Sequence, residues 1–200
     1  MASVSVSIPV EAYITNLTIR KAAMRDIGPL LRLINDYAAN GVMLPRTEFE
    51  ISENIRDFTV VYSGKKLLAC GALHFYTPTS GEVRSLAVDS SLKTQGLGRL
   101  VVQALEDEAI ANELHAIFAF TYVPNFFRKL GFRAVERGML PLKVWKDCLR
   151  CPKFQRCDEI AVLKALRPDP VLEPSEANDH GPFDPEFVLI QLPNLKHLED

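Results

Sequence analysis

Apolar residues recur at Ile27, Leu30, Leu31, Ile34 and Tyr37, the spacing of one helix face, and Asp26 stands where an N-cap belongs. This spacing predicts a helix that starts at Asp26 and is ended by Gly41, preceded by a short strand at Thr18-Ile19-Arg20. Val42 to Thr47 then reads as a loop holding one cation, Arg46, in an apolar setting, and a second short helix follows from about Glu48 to Arg56. Phe58 to Tyr62 and Lys66 to Thr77 have strand composition, and Ser63-Gly64-Lys65 between them is a turn of hairpin length. Gly81 to Val88 is another strand. Leu97, Val101, Ala104 and Leu105 mark the inner face of a helix running to about Glu113. Ala116 to Thr121 is a strand of the buried type, and Asn125 to Leu130 a short helix closed by Gly131. Phe132 to Val135 and Ile160 to Leu166 complete a final strand pair. The order is strand, two helices, three strands, helix, strand, helix, strands, with no internal repeat.

Composition changes this picture in one place. The 200 residues are 48% hydrophobic, which suits one globular domain, and no run of about 18 apolar residues suggests a membrane span. The net charge of −2 argues against a nucleic-acid partner, but it averages over unlike parts. Residues 1–166 carry 21 Lys and Arg against 17 Asp and Glu, whereas residues 167–200 carry two cations against eight acids and hold six of the 13 prolines. The expected organisation is an N-terminal extension over residues 1–15, a domain over 16–166 able to meet an anionic ligand, and an acidic Pro-rich tail over 167–200. Within that tail, Phe187 to Leu192 is apolar enough to dock as a strand, on this chain's own sheet edge or on a partner subunit of a homodimer. Met1 to Glu11 lacks the Lys or Arg of a secretory signal, so the expected location is cytoplasmic, with reduced cysteines. Cys148, Cys151 and Cys157 crowd together while Cys70 stands alone. The cluster reads as small packing thiols, with a structural zinc as the alternative; no metal is required, since a closed zinc site needs a fourth ligand that no second cysteine or histidine pair supplies.

The strongest chemistry lies at Lys93-Thr94-Gln95-Gly96-Leu97-Gly98-Arg99, between a strand and a helix. Gly96 and Gly98 let backbone approach a ligand where the first amides of the helix have no internal acceptor, and Lys93 and Arg99 add positive charge. Free amides at the positive end of a helix suit a pyrophosphate. The alternative is that the glycines only shape a tight turn.

With Glu82-Val83-Arg84-Ser85-Leu86-Ala87-Val88 before that loop and Phe126-Phe127-Arg128-Lys129-Leu130-Gly131-Phe132 after it, residues 18–166 resemble the GNAT superfamily of acetyl-coenzyme A-dependent N-acetyltransferases. Lys93 departs from the Gln or Arg that opens the family's loop pattern, keeping charge but losing the guanidinium fork. Met43-Leu44-Pro45-Arg46 and Leu140 to Cys148 are similar to short bacterial amino-acid N-acetyltransferases, which are themselves similar to the acetyltransferase half of N-acetylglutamate synthase in arginine biosynthesis. The resemblance implies an α/β (α+β) fold with a mixed sheet of six or seven strands and about four helices, splayed between the fourth and fifth strands.

It also implies acetyl-coenzyme A as co-substrate and a small amino acid, glutamate first, as acceptor. Transfer to an amine requires a base, a polarised thioester carbonyl and a proton for the leaving thiolate. Strand alternation puts Glu82, Arg84 and Leu86 on one face and Val83, Ser85 and Ala87 on the other, and the resemblance makes Glu82 the base. His74 is the rival base, although its strand neighbours suit a packing residue. By the same resemblance the backbone of Leu86, Ala87 and Val88 holds the pantetheine arm, and Asn125 contacts the coenzyme. Phe127 occupies the place where many relatives carry an acid tyrosine, so Tyr122 is the substitute acid. Arg46, Arg84, Lys143 and Arg156 are the candidate cations for the acceptor's carboxylates. The alternatives are a peptide or polyamine acetyltransferase and a non-catalytic acyl-coenzyme A-binding module.

Overall fold

The computed structural model describes residues 16–140, 151, 153 and 156–167. Among these, seven strands form one mixed sheet: β1 (Leu17–Lys21), β2 (Phe58–Ser63), β3 (Lys66–Thr77), β4 (Ser80–Val88), β5 (Ala116–Thr121), β6 (Arg133–Ala134) and β7 (Ile160–Ala165), in the spatial order β1-β2-β3-β4-β5-β7-β6. β1 to β4 form an antiparallel meander. β4 and β5 run parallel, yet they pair only from Ser80–Ala116 to Glu82–Phe118. Past Glu82 the two strands part, which is the splay between the fourth and fifth strands that the family resemblance implies. The flanking helices are α1 (Ile27–Ala39), α2 (Glu48–Glu53), α3 (Leu97–Ala111) and α4 (Pro124–Arg128).

Two apolar layers cover the sheet because successive strand residues face opposite sides. Ile27, Leu30 and Ile34 of α1 and Ile51 of α2 pack on Val60, Cys70 and Ala72, whereas Val101 and Leu105 of α3 pack with Val61, Leu73, Val83 and Ile117. Burial pushes the Cys70 thiol up to about 12, which makes it an inert packing group. A Cβ at Gly71 would lie 2.7 Å from Val101 Cγ1, so glycine there lets α3 sit close against β3.

The structure corrects five local expectations. α2 ends at Glu53, and a tight turn at Ile55–Asp57 replaces its expected last turn. β6 has two residues where the sequence suggests four, and α3 stops at Ala111. Asp26 does not cap α1 with its side chain. Its carboxylate instead turns back to accept hydrogen bonds from Arg20 Nη1 (2.7 Å) and Nη2 (2.8 Å), the Ala23 amide (2.8 Å) and the Tyr62 hydroxyl (2.9 Å). The fifth correction is the alternation of β4. Ala72 pairs with Arg84 but Cys70 pairs with Ala87, so β4 carries one extra residue between them, at a bulge where Ser85 has φ +51°. Beyond the bulge the faces exchange: Leu86 joins the α3 layer with Val83, and Ala87 is buried in the α1 layer. Residues 1–15 and 168–200, including the expected docking strand at 187–192, lie outside the described residues, as do Lys143 and Cys148.

Candidate active site

The parting of β4 from β5 opens a cavity of about 620 Å³. One wall is β4 from Glu82 to Leu86 and another is the end of β5 from Phe120 to Val123. The loop after α1, from Gly41 to Arg46, closes a third side, and Arg137, Cys151, Lys153, Cys157 and Glu159 a fourth. Glu82 is the last β4 residue paired with β5 and is only 1% exposed, so its carboxylate is held at the point where the sheet opens. Arg84, two residues on, has a side chain 10% exposed and donates through Nη2 to Asn54 Oδ1 at 3.3 Å.

Local chemistry fixes the loop wall. Asn35 on α1 donates through Nδ2 to the Arg46 carbonyl at 2.9 Å and accepts from the Arg46 amide at 2.8 Å. Thr47 and Glu50 then form a capping box that starts α2, with the Thr47 amide donating to Glu50 Oε2 at 2.8 Å and Thr47 Oγ1 accepting from the Glu50 amide at 3.2 Å. Arg46 is thereby held on the cavity with its guanidinium 4.0 Å from Glu50.

Leu86 lines the cavity, whereas Ala87 faces the core and can offer a ligand only its backbone. The Val88 carbonyl accepts the Tyr37 hydroxyl at 2.6 Å, and Lys93 Nζ lies 5.1 Å from the centre of the Tyr37 ring. Gly96 begins α3 in the left-handed conformation, with φ +82°, and no atom would lie within 4 Å of a Cβ there, so the space above the loop is open. Thr94 shares that backbone region (φ +72°), and Thr94, Gln95 and Arg99 are exposed. Leu97 is buried in the core. A Cβ on Gly98 would lie 3.3 Å from the Phe126 ring, so glycine allows that ring to rest over the first turn of α3. Asn125 is exposed on α4, while Phe127 is 3% exposed, stacked edge-on against Phe126 and Phe132, and reaches the cavity from the core.

Tyr122 lines the cavity, and Lys153 Nζ donates to its hydroxyl at 3.1 Å while lying 4.7 Å from its ring centre. The same ammonium reaches the Gly41 carbonyl at 3.5 Å and Asp158 at 3.7 Å. Burial raises the Tyr122 phenol above its usual value, the hydrogen bond from Lys153 works against that rise, and Asp158 and Glu159 add to it. His74 pairs with Glu82 across β3 and β4, but it is not a lining residue and its Nδ1 lies 2.7 Å from Asp57 Oδ2. Arg156 is exposed and stands away from the cavity wall. Cys151 and Cys157 are free thiols that line the cavity. No group of three or more His, Cys, Asp or Glu among the described residues could hold a metal ion, and no helix among them is long and apolar enough to cross a membrane.

Sequence reasoning missed Tyr37, Arg137 and Lys153. Tyr37 reads as one more apolar position of α1, and nothing in its spacing reveals that its hydroxyl reaches β4. Lys153 and Arg156 are indistinguishable by composition, and only the fold decides which of the two faces inward.

A mixed sheet parted between its fourth and fifth strands, with a buried glutamate at the parting and a glycine-led helix start beside it, has the architecture of an acetyltransferase. The family described as "Acetyltransferase (GNAT) family" matches residues 30–132, and the chain belongs to that family. It is 37% identical over 148 residues to an uncharacterized N-acetyltransferase of Chlorobaculum tepidum, a match that covers 74% of this chain and 96% of that protein. It is 27% identical to the amino-acid acetyltransferase of Mycobacterium tuberculosis, over 66% of this chain and 77% of that one. Among solved structures, N-acetylglutamate synthase from Neisseria gonorrhoeae, complexed with coenzyme A and N-acetyl-glutamate, superposes with a TM-score of 0.70 at 22% identity. That match covers 76% of this chain and only 36% of the synthase, and it shows the fold.

Proposed function

We propose that this acetyltransferase moves an acetyl group from acetyl-coenzyme A to the α-amine of a free amino acid, glutamate first, with Glu82 as base. The observation that carries the reading is the buried Glu82 carboxylate at the mouth of a cavity whose described walls hold Arg46, Arg84, Lys93, Arg137 and Lys153 against only two acids, Glu82 and Glu159. A polyamine would meet cations there, whereas an amino acid brings carboxylates that they can hold.

The donor fits the residues present. The first amides of α3 and the side chains of Lys93 and Arg99 would receive a pyrophosphate above Gly96, and the β4 edge left unpaired beyond Glu82 offers backbone groups to an amide-bearing arm. Acetyl-coenzyme A supplies the activated acyl group. Arg46 and Arg84 orient the acceptor's carboxylates, Glu82 takes the proton that its amine must lose, and Tyr122 gives a proton to the leaving thiolate. The names of the amino-acid acetyltransferase relatives support the acceptor class, and glutamate as acceptor would place the reaction in arginine biosynthesis. The deciding experiment measures thiol release from acetyl-coenzyme A over a panel of free amino acids, spermidine and a short peptide. Glutamate is expected to give the highest kcat/KM, and release with spermidine or the peptide alone would overturn the assignment. Release with none of them would point to a non-catalytic acyl-coenzyme A-binding module.

The acid has its own signature. Tyr122→Phe is expected to lower kcat by about 10²-fold, the low end of what a positioned acid contributes. Rate is lost at high pH when the phenol ionises, and the hydrogen bond from Lys153 favours that ionisation by lowering the phenol's pKa, so Lys153→Met is expected to move the alkaline limb of kcat upward while reducing its plateau. A pH profile of the two variants checks this, and a limb that Lys153→Met moves downward would remove Tyr122 from the role.

A further inference from the structure

We infer that Asp57 is a positioning residue of the acceptor site, acting through Arg84; this rests on the reading above that Arg84 holds an acceptor carboxylate. Asp57 closes the tight turn between α2 and β2 and does not line the cavity, whereas Arg84 does. Its Oδ2 lies 2.7 Å from His74 Nδ1 and 3.6 Å from Arg84 Nη2. Asn54, at the end of α2, accepts from the same Nη2 at 3.3 Å. The turn itself is tied down, because Lys21 Nζ donates to the Asp57 carbonyl at 3.1 Å.

The geometry has a direction. One end of the Arg84 guanidinium is engaged from the α2 side by Asp57 and Asn54, in a side chain that is already nine-tenths buried, so the group is fixed against the sheet with its cavity-facing side set before the acceptor arrives. A free arginine side chain would lose rotamer entropy on gripping a ligand, and a preoriented one has lost it in advance. Because the Asp57 carboxylate is shared with His74, its charge is not spent on Arg84 alone. Arg84 also lines the cavity, where an acceptor carboxylate can reach it. This arrangement also accounts for His74, the rival base, which orients Asp57 from outside the cavity wall.

The test is steady-state kinetics with glutamate and acetyl-coenzyme A on the full chain. Asp57→Asn keeps the shape but removes the charge, and it is expected to raise the acceptor KM about tenfold, with kcat and the KM for acetyl-coenzyme A within about twofold of the parent. Arg84→Ala is expected to raise the acceptor KM by at least as much, and adding Asp57→Asn to Arg84→Ala should change nothing further, because the two act as one unit. Should Asp57→Asn fold poorly, Asn54→Ala carries the same expectation at about threefold. If Arg84→Ala raises the acceptor KM while neither Asp57→Asn nor Asn54→Ala does, or if the double variant shows additive losses, the inference is overturned and the acceptor reading stands. If Arg84→Ala leaves the acceptor KM unchanged, the role of Arg84 falls and that of Asp57 falls with it.

Discussion

Glu82→Gln lowers kcat about 10³-fold at neutral pH and leaves the melting temperature at or above that of the parent, an expectation at the middle of the range for a positioned general base. The substitution changes one atom in a side chain 1% exposed, so shape and packing are conserved, and burying a neutral amide is no harder than burying a carboxylate. What disappears is the capacity to take a proton from the acceptor's ammonium. The residual rate should then climb more steeply with pH than that of the parent, because solution now has to supply the free amine. The check is kcat across pH 6 to 10 for both proteins beside a thermal melt. A variant that retains full rate at neutral pH would move the base elsewhere, with His74 the next to test, and would leave the family assignment untouched.

Much of this site is legible in the sequence. The helical spacing of Ile27 to Tyr37 and the hairpin at Ser63-Gly64-Lys65 place α1, β2 and β3, and Glu82, Arg84, Lys93 and Tyr122 do meet on one cavity though they come from three separate stretches of chain. The misses have physical causes. Ser85 carries a left-handed φ without being glycine, so nothing in β4 announces the bulge, and one inserted residue exchanges the faces of Leu86 and Ala87. Orientation past a bulge is set by pairing with β3, which strict alternation cannot know. Lys153 and Arg156 sit in a segment without periodicity, where sequence supplies the charge and only packing supplies the direction. Asp57 looks like a turn residue and is one, yet its carboxylate serves residues 17 and 27 positions further along the chain.

Asp26 shows how the same ambiguity bears on stability, and Asp26→Asn is expected to destabilise the fold by about 3 kcal/mol at pH 7, the lower end for breaking one side of a buried ion pair. Its side chain is 3% exposed, both its oxygens face Arg20, and the Ala23 amide and Tyr62 hydroxyl also donate to them. An amide cannot satisfy four donors. Its NH₂ would confront another N–H or O–H, and Arg20 would be left partly buried without a counter-charge. Against a total stability of roughly 5–15 kcal/mol, the loss should lower Tm by roughly 6–12 °C for a chain of this size. The pH dependence follows from the sign of the shift. The Arg20 hydrogen bonds hold the Asp26 carboxyl far below the usual carboxylate range, against the opposing effect of burial, so the folded state resists protonation more than the unfolded chain does. The stabilisation is complete above the unfolded value of about 4 and is lost as pH falls towards the depressed folded value. The gap between parent and Asp26→Asn in urea or thermal unfolding should therefore be widest from pH 5 to 7 and close progressively below pH 4. A gap that stays constant from pH 7 to pH 3 would mean that the carboxylate's shape, rather than its charge, holds β1, β2 and the start of α1 together.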